Sequence, residues 1–346
     1  MATLLAHVRY IVGAFALLLI IALAVPANAQ QPSLVNPTAS SVKEEQLFQQ
    51  MQRLEGRITI PDSKAGVLIQ PDGRGWQQFH EVTLRWIGGI AILGVLALLI
   101  VFFAVRGMIR ISSGRSGRTI TRFNNLERSV HWLTAISFVI LAISGLNITF
   151  GKPLLLPLFG AEAFTKFSIA MKYSHNYLSF PFTIGLVFIF LMWLKDNIPG
   201  KIDIEWLKAG GGIVGSKHPP ARRFNGGQKI VYWLVVLGGA AIAITGYLLM
   251  FPFYGIGSAT GGIYGTGIGI AGMQWVQIIH GVVSVLLIAA MLGHIYIGTI
   301  GMEGAFDAMS SGEVDLNWAK EHHRLWVEEE MGKGSSGARA RMSPAE

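Results

Sequence analysis

The sequence predicts an all-α integral membrane protein with five transmembrane helices, and three observations carry the prediction. Five apolar stretches each approach the ~20 residues that a bilayer core requires. Only 14% of the 346 residues are charged and 51% are hydrophobic, whereas a soluble domain carries about a quarter charged residues. The basic residues gather in alternate connections between the apolar stretches, the asymmetry that the positive-inside rule describes.

At the front, His7 and Arg9 precede an apolar run from Tyr10 to Val25, and Pro26-Ala27-Asn28-Ala29 follows. A charged head, an apolar core and a small-x-small exit read as a signal peptide over residues 1–29, with an uncleaved anchor as the alternative. Residues 30–85 are polar, with a helix start at Asn36 to Ser41 and turns at Pro61-Asp62 and Pro71-Asp72-Gly73. They read as an exported segment, either a docking element or a spacer.

The apolar stretches are Trp86–Val105, His131–Phe150, Tyr173–Leu194, Ile230–Met250 and Trp275–Ile300. One set of connections holds Arg106, Arg110, Arg115, Arg118, Arg122, Arg128, Lys195, Lys201, Lys208, Lys217, Arg222, Arg223 and Lys229. The opposite connections offer Lys152, Lys166 and Lys172, and one is an uncharged glycine-rich stretch from Gly255 to Gly272. The basic side is therefore expected to be cytoplasmic, which places the amino-terminal segment in the periplasm and the tail, residues 326–346, in the cytoplasm and without order.

Two functional classes fall away on composition. The net charge of +8 sits beside apolar runs without interleaved aromatics, so it answers to lipid and not to nucleic acid. No cysteine is present, which excludes disulfides, covalently attached haem and thiolate-held iron–sulfur clusters from this chain.

Of nine histidines, His7, His80, His218, His322 and His323 lie outside the spans and read as ordinary solvated side chains. The other four, His131, His175, His280 and His294, lie in apolar helices, where ionisable groups are costly and point at a partner. His280 and His294 share the last helix. Fourteen residues at ~100° and ~1.5 Å each return to within about 40° of the same face, roughly 21 Å deeper. His175 matches the depth of His280, and His131 matches that of His294. Two imidazoles at each of two levels suit two haems, because the macrocycle brings four nitrogens of its own. Two-nitrogen sites with no Cys, Asp or Glu nearby make a poor cage for bare zinc or copper. A proton relay or an interhelical hydrogen bond remains the competing reading of the histidines.

Mid-span Gly145, Gly185 and Gly246 suit either the close approach of a macrocycle or close helix packing. Arg128, one turn before His131, suits either a haem propionate or a positive-inside charge.

A family resemblance rests on Arg128-Ser129-Val130-His131-Trp132, Ser144-Gly145-Leu146, His175, Phe224-Asn225-Gly226-Gly227-Gln228-Lys229, Thr245-Gly246 and the His280/His294 spacing. Over residues 120–325 the chain resembles the gamma, or cytochrome b, subunit of respiratory formate dehydrogenase. The resemblance implies a four-helix transmembrane bundle holding two b haems, with the helix at 86–105 as an additional N-terminal span. It implies His175 with His280 for the periplasmic haem and His131 with His294 for the cytoplasmic one. It also implies a quinone pocket mapping onto Asn225, Gly227 and His294, although Asn225-Gly226-Gly227 reads equally as a turn before a helix. The implied partners are a molybdenum or tungsten catalytic alpha subunit and an iron–sulfur beta subunit, both periplasmic, together with membrane lipid and quinone. A hydrogenase or sulfur-compound reductase would use the same kind of cytochrome. A transporter or scaffold is the reading of another class.

Overall fold

A computed structural model describes residues 73–211, 219–251 and 269–341. The leader, most of the exported segment, His7, His218 and most of the glycine-rich stretch lie outside the described residues. Among those described, five helices are long and apolar enough to cross a membrane: Gly75–Arg106, Asn125–Leu154, Leu156–Trp193, Gly226–Met250 and Ala271–Gly301.

Helix α1 (Gly73–Gln78) continues through a π turn (Phe79–Thr83) into α2 (Leu84–Arg106), which is the first span. Strand β1 (Thr119–Thr121) precedes α3 (Asn125–Leu154), and α4 (Leu156–Trp193) returns antiparallel beside it, broken at Gly160 where φ is 74°. The short α5 (Lys201–Lys208) leads to α6 (Gly226–Trp233), which runs through a π turn into α7 (Gly239–Met250). The last span is α8 (Gly269–Tyr296) with a π turn over Ile297–Gly301. Helices α9 (Asp307–Ser310), α10 (Leu316–His322) and α11 (Arg324–Arg341) follow, with strand β2 (Glu313–Asp315) between the first two.

The helices begin before their apolar stretches because polar residues cap them. Asn124 accepts from the Glu127 N–H while the Glu127 carboxylate accepts from the Asn124 N–H. Asn225 and Gln228 repeat that arrangement at the start of α6. The likeness extends further: Arg122-Phe123-Asn124 and Arg223-Phe224-Asn225 stand 101 positions apart, as do Trp132 and Trp233, and Ser144-Gly145 and Thr245-Gly246. The indoles of the two tryptophans each donate to a carbonyl just past the end of the other hairpin, Trp132 to Met309 at 2.9 Å and Trp233 to Asn197 at 3.0 Å. The hairpins α3–α4 and α6–α8 are two copies of one design.

The first span packs against α8. Leu84 lies over Gly281 and Val285 lies over Gly88, where an added methyl would sit 2.7 Å and 3.1 Å from the neighbouring side chains. Small residues allow this approach where lipid supplies no hydrophobic drive. Arg85 Nε donates to the Thr149 carbonyl at 3.0 Å. Beyond the bundle, Ile109 pairs with the strand-like run at Met302, and Ile109 N donates to the Gly301 carbonyl at 2.9 Å.

The packed apolar core lies at the end of the bundle that holds His131. Phe123, Trp193, Phe224, Val314, Trp318 and Trp326 meet there, under the two-stranded ribbon in which Ile120 faces Val314. The chain turns into β2 at Gly312, whose φ is 88° and whose added Cβ would meet the Phe123 carbonyl oxygen at 2.5 Å. The chain continues as α11, whose first turn is anchored by Trp326 and Val327, buried in the cap. One expectation is corrected here. His323, expected on the surface, is wholly buried: its Nδ1 lies 2.8 Å from the Arg222 carbonyl and its Nε2 lies 3.1 Å from Arg122 Nη2.

Candidate functional site: two histidine pairs

The rings of His131 and His294 stand with centres 6.3 Å apart and planes at 60°, and those of His175 and His280 stand 6.2 Å apart at 69°. Neither pair is stacked face to face. Each pair joins two helices, α3 with α8 at one level and α4 with α8 at the other.

A metal between two imidazoles sets its own spacing. About 2.0 Å for each metal–nitrogen bond plus about 1.1 Å from nitrogen to ring centre, taken twice, gives roughly 6.2 Å. Both pairs match that figure. Among the described residues no group of three or more His, Cys, Asp or Glu is placed to hold a metal ion. The donor set therefore fits an iron that arrives with its equatorial nitrogens, as in a haem, and does not fit a bare ion.

The hydrogen bonds at one level fix which nitrogen faces the partner ring. Ser144 Oγ lies 2.9 Å from His175 Nδ1 and 2.8 Å from the Ile140 carbonyl. Thr245 Oγ1 lies 2.9 Å from His280 Nδ1 and 2.7 Å from the Ala241 carbonyl. A hydroxyl has one proton, and each gives it to a backbone carbonyl, so each accepts the Nδ1–H of its histidine. Both imidazoles then hold their Nε2 lone pair for a metal. At the other level His131 Nδ1 is buried with no hydrogen-bond partner among the described residues.

The mid-span glycines serve the imidazoles. A methyl on Gly145 would lie 3.5 Å from His175 Cε1, and one on Gly246 would lie 3.3 Å from His280 Cε1. Gly185 instead admits Thr134 of the facing helix. The sequence reading weighed these glycines and counted Ser144 and Thr245 among the family motifs, but gave the two hydroxyls no role. The recurrence of a small hydroxyl residue before glycine, 101 positions apart, was the signal available.

The remaining expected site residues lie elsewhere. Arg128 donates from Nε and Nη2 to the carbonyls of Met309 and Ser310, and from Nη1 to Asn125 Oδ1 at 3.2 Å. It braces α3 against the end of α9. Asn225 spends its side-chain oxygen capping α6. Gly226 and Gly227 lie under α5: added Cβ atoms there would stand 3.0 Å from the Asp203 carbonyl oxygen and 2.9 Å from the Trp206 ring. Lys229 completes the seat with Nζ 2.9 Å from Asp203 Oδ2 and 3.0 Å from the Ile198 carbonyl. The Asn-Gly-Gly-Gln-Lys run is thus a helix start and a cradle for α5 in one.

Around Arg122 the cap is strongly electrostatic. Its guanidinium lies 5.1 Å from the Trp326 ring centre and 5.5 Å from that of Trp318. Burial, then the neighbouring Arg223, disfavours its charge, and Glu127 counters them. Glu127 accepts from Arg223 Nη2 at 2.5 Å and from Trp193 Nε1 at 2.9 Å. Burial, followed by the charge on Arg122, holds His323 well below the ordinary histidine range.

The chain is 26% identical over 229 residues to the nitrate-inducible formate dehydrogenase cytochrome b556(Fdn) subunit of Escherichia coli (strain K12), covering 61% of this chain and 92% of that protein. It is 26% identical over 213 residues to the formate dehydrogenase cytochrome b556(fdo) subunit of the same organism, covering 61% and 93%. It is 24% identical over 218 residues to the formate dehydrogenase cytochrome b556 subunit of Haemophilus influenzae, covering 61% and 84%. The family described as prokaryotic cytochrome b561 matches residues 122–312, which run from the buried arginine of the cap through all four histidines to the glycine before β2, and this chain belongs to that family.

Proposed function

We propose that this chain is the membrane cytochrome b subunit of a respiratory formate dehydrogenase, holding two b haems and reducing quinone. The observation that carries the reading is the pair of matched imidazole gaps, 6.2 Å and 6.3 Å, with His280 and His294 on a single helix. When bound, haem supplies one-electron redox chemistry at each level. The relatives named as formate dehydrogenase subunits favour formate over hydrogen or sulfur compounds as the electron source.

In this reading the molecule is a multi-pass protein of the bacterial inner membrane. The cap with Arg122, Arg128, Arg222, Arg223 and Lys229 faces the cytoplasm, and the segment before α1 faces the periplasm. A periplasmic molybdenum or tungsten subunit oxidises formate to carbon dioxide, one proton and two electrons, and an iron–sulfur subunit passes the electrons on. His175 and His280 would hold the haem nearer the periplasmic donor, and His131 and His294 the haem nearer the cytoplasm, each site supplying one-electron carriage. Quinone takes the two electrons and two cytoplasmic protons to become quinol. Electrons moved inward, toward the negative side, work against the membrane potential at about 2.3 kcal/mol per charge per 100 mV.

At the cytoplasmic end the proposed quinone contacts are His294, Asn225 and Gly227. Asn225 offers its amide nitrogen, since its oxygen caps α6, and Trp206 forms a wall over Gly227. The test is a haem count and a reduced-minus-oxidised spectrum of the complex purified from its native membrane. Two b haems per chain with formate-dependent quinone reduction support the reading. A colourless, iron-free chain sinks it.

A further inference from the structure

We infer that Ser144 and Thr245 are positioning residues that lower the electron affinity of the iron held by His175 and His280 below that of the iron held by His131 and His294. The inference rests on the two-haem reading above.

Its basis is an asymmetry in the hydrogen bonds of the two levels. His175 and His280 each give Nδ1–H to a hydroxyl at 2.9 Å, and each hydroxyl is locked by donating to a carbonyl of its own helix. Ser144 is wholly buried and Thr245 nearly so, so no water competes. A donated Nδ1–H leaves more electron density on Nε2, which makes the imidazole a stronger donor and stabilises the oxidised metal. His131 Nδ1 is buried with no partner among the described residues and gains no such push.

Placement reinforces the point. Ser144-Gly145 on α3 seats the ring of His175 on α4, and Thr245-Gly246 on α7 seats the ring of His280 on α8. The first helix of each hairpin orients the histidine of the second. That level therefore takes one ligand and one orienting hydroxyl from each copy of the design. The other level does not: Tyr232 stands where the second copy would repeat His131, and it donates to the Phe190 carbonyl at 3.0 Å. A lower electron affinity on the entry side makes transfer to the second site downhill.

The test is a redox titration of the intact complex, followed in the visible b bands. Wild type is expected to titrate in two one-electron components. Thr245→Val, which keeps the shape and removes the acceptor, and Ser144→Ala should each move the lower component to higher potential and leave the upper one in place. Thr245→Ser should restore the lower value. Ser174→Ala is the control, because that hydroxyl in the same layer bonds the Ala170 carbonyl of its own turn. Unchanged potentials in Thr245→Val with both haems present overturn the inference, as does movement of the upper component instead. If Ser144→Ala fails to assemble, Thr245→Val decides alone. Wild-type complex with no b haem, or with one, would instead remove the two-haem reading on which the inference stands.

Discussion

Arg122 and Arg223 hold each other across the two halves of the molecule: Arg122 Nη2 donates to the Arg223 carbonyl at 2.7 Å, and Arg223 Nη2 donates to the Arg122 carbonyl at 3.3 Å. Each arginine stands two residues before the cap of its own hairpin. Two like charges sit side by side because Glu127 and Asp196 neutralise Arg223 from the other side, at 2.5 Å and 3.0 Å.

Breaking that knot should cost much of the fold's stability. Arg223→Ala leaves the buried Glu127 carboxylate without its cation, a change of about 3–5 kcal/mol when a buried pair loses one partner, reduced here because Arg223 is about a quarter exposed. Thermal unfolding in detergent should show a fall of several degrees, and Arg223→Lys should recover part of it. An unchanged midpoint would mean that the pair contributes nothing.

The cap should also weaken in acid. His323 titrates well below its ordinary value of 6.5 in the folded protein, chiefly through burial and then through Arg122. The unfolded chain therefore binds a proton that the folded chain refuses, so stability is full above about 6.5 and declines as pH falls below it. His323→Gln should flatten that decline in melting curves between pH 7 and 5.

Removing a ligand should empty one level and spare the other. His280→Ala is expected to halve the haem content and stop formate-to-quinone electron flow, while the His131 and His294 site keeps its band. Retention of two haems with normal flow would refute the pairing.

Filling a ring seat should disturb the same level more gently. Gly246→Ala brings a methyl to 3.3 Å from His280 Cε1, a distance at which the ring must give by a few tenths of an ångström. We expect assembly with a broadened b band from that site, and Gly246→Leu should lose the haem. A wild-type spectrum in Gly246→Leu would contradict the seating.

The cradle of α5 offers a test at the proposed quinone end. Gly227→Val should lift Trp206 from α6, raising the KM for quinone more than it lowers kcat and leaving the haem spectrum intact. Equal KM values in the two proteins would detach Trp206 from that pocket.

The spans and the histidine pairs were legible in the sequence because both depend on simple periodicities. Apolar length reports the bilayer, and a fourteen-residue interval returns to one helical face. The cap was not legible. Thr119–Thr121 and Glu313–Asp315 are three-residue strands from distant parts of the chain, and nothing local announces their pairing. Arg324–Arg341 reads as a polar tail until Trp326 and Val327 find the pocket made by the cap. His323 looked solvated for the same reason, since its ring is held by Arg122, 201 positions away, and by the Arg222 carbonyl, 101 positions away. The hydroxyls of Ser144 and Thr245 were hidden by their ordinariness: helical serines and threonines usually bond their own turn, and these do so as well as holding a ring.

Leu84 and Gly88 grip α8 at Gly281 and Val285, and Ile109 is stitched to the backbone just past the end of the same helix. The leading helix is thus a splint along the rod that bears His280 and His294. Any pull on the chain ahead of residue 73 would be delivered as strain on that rod, and so on the distance along it between His280 and His294.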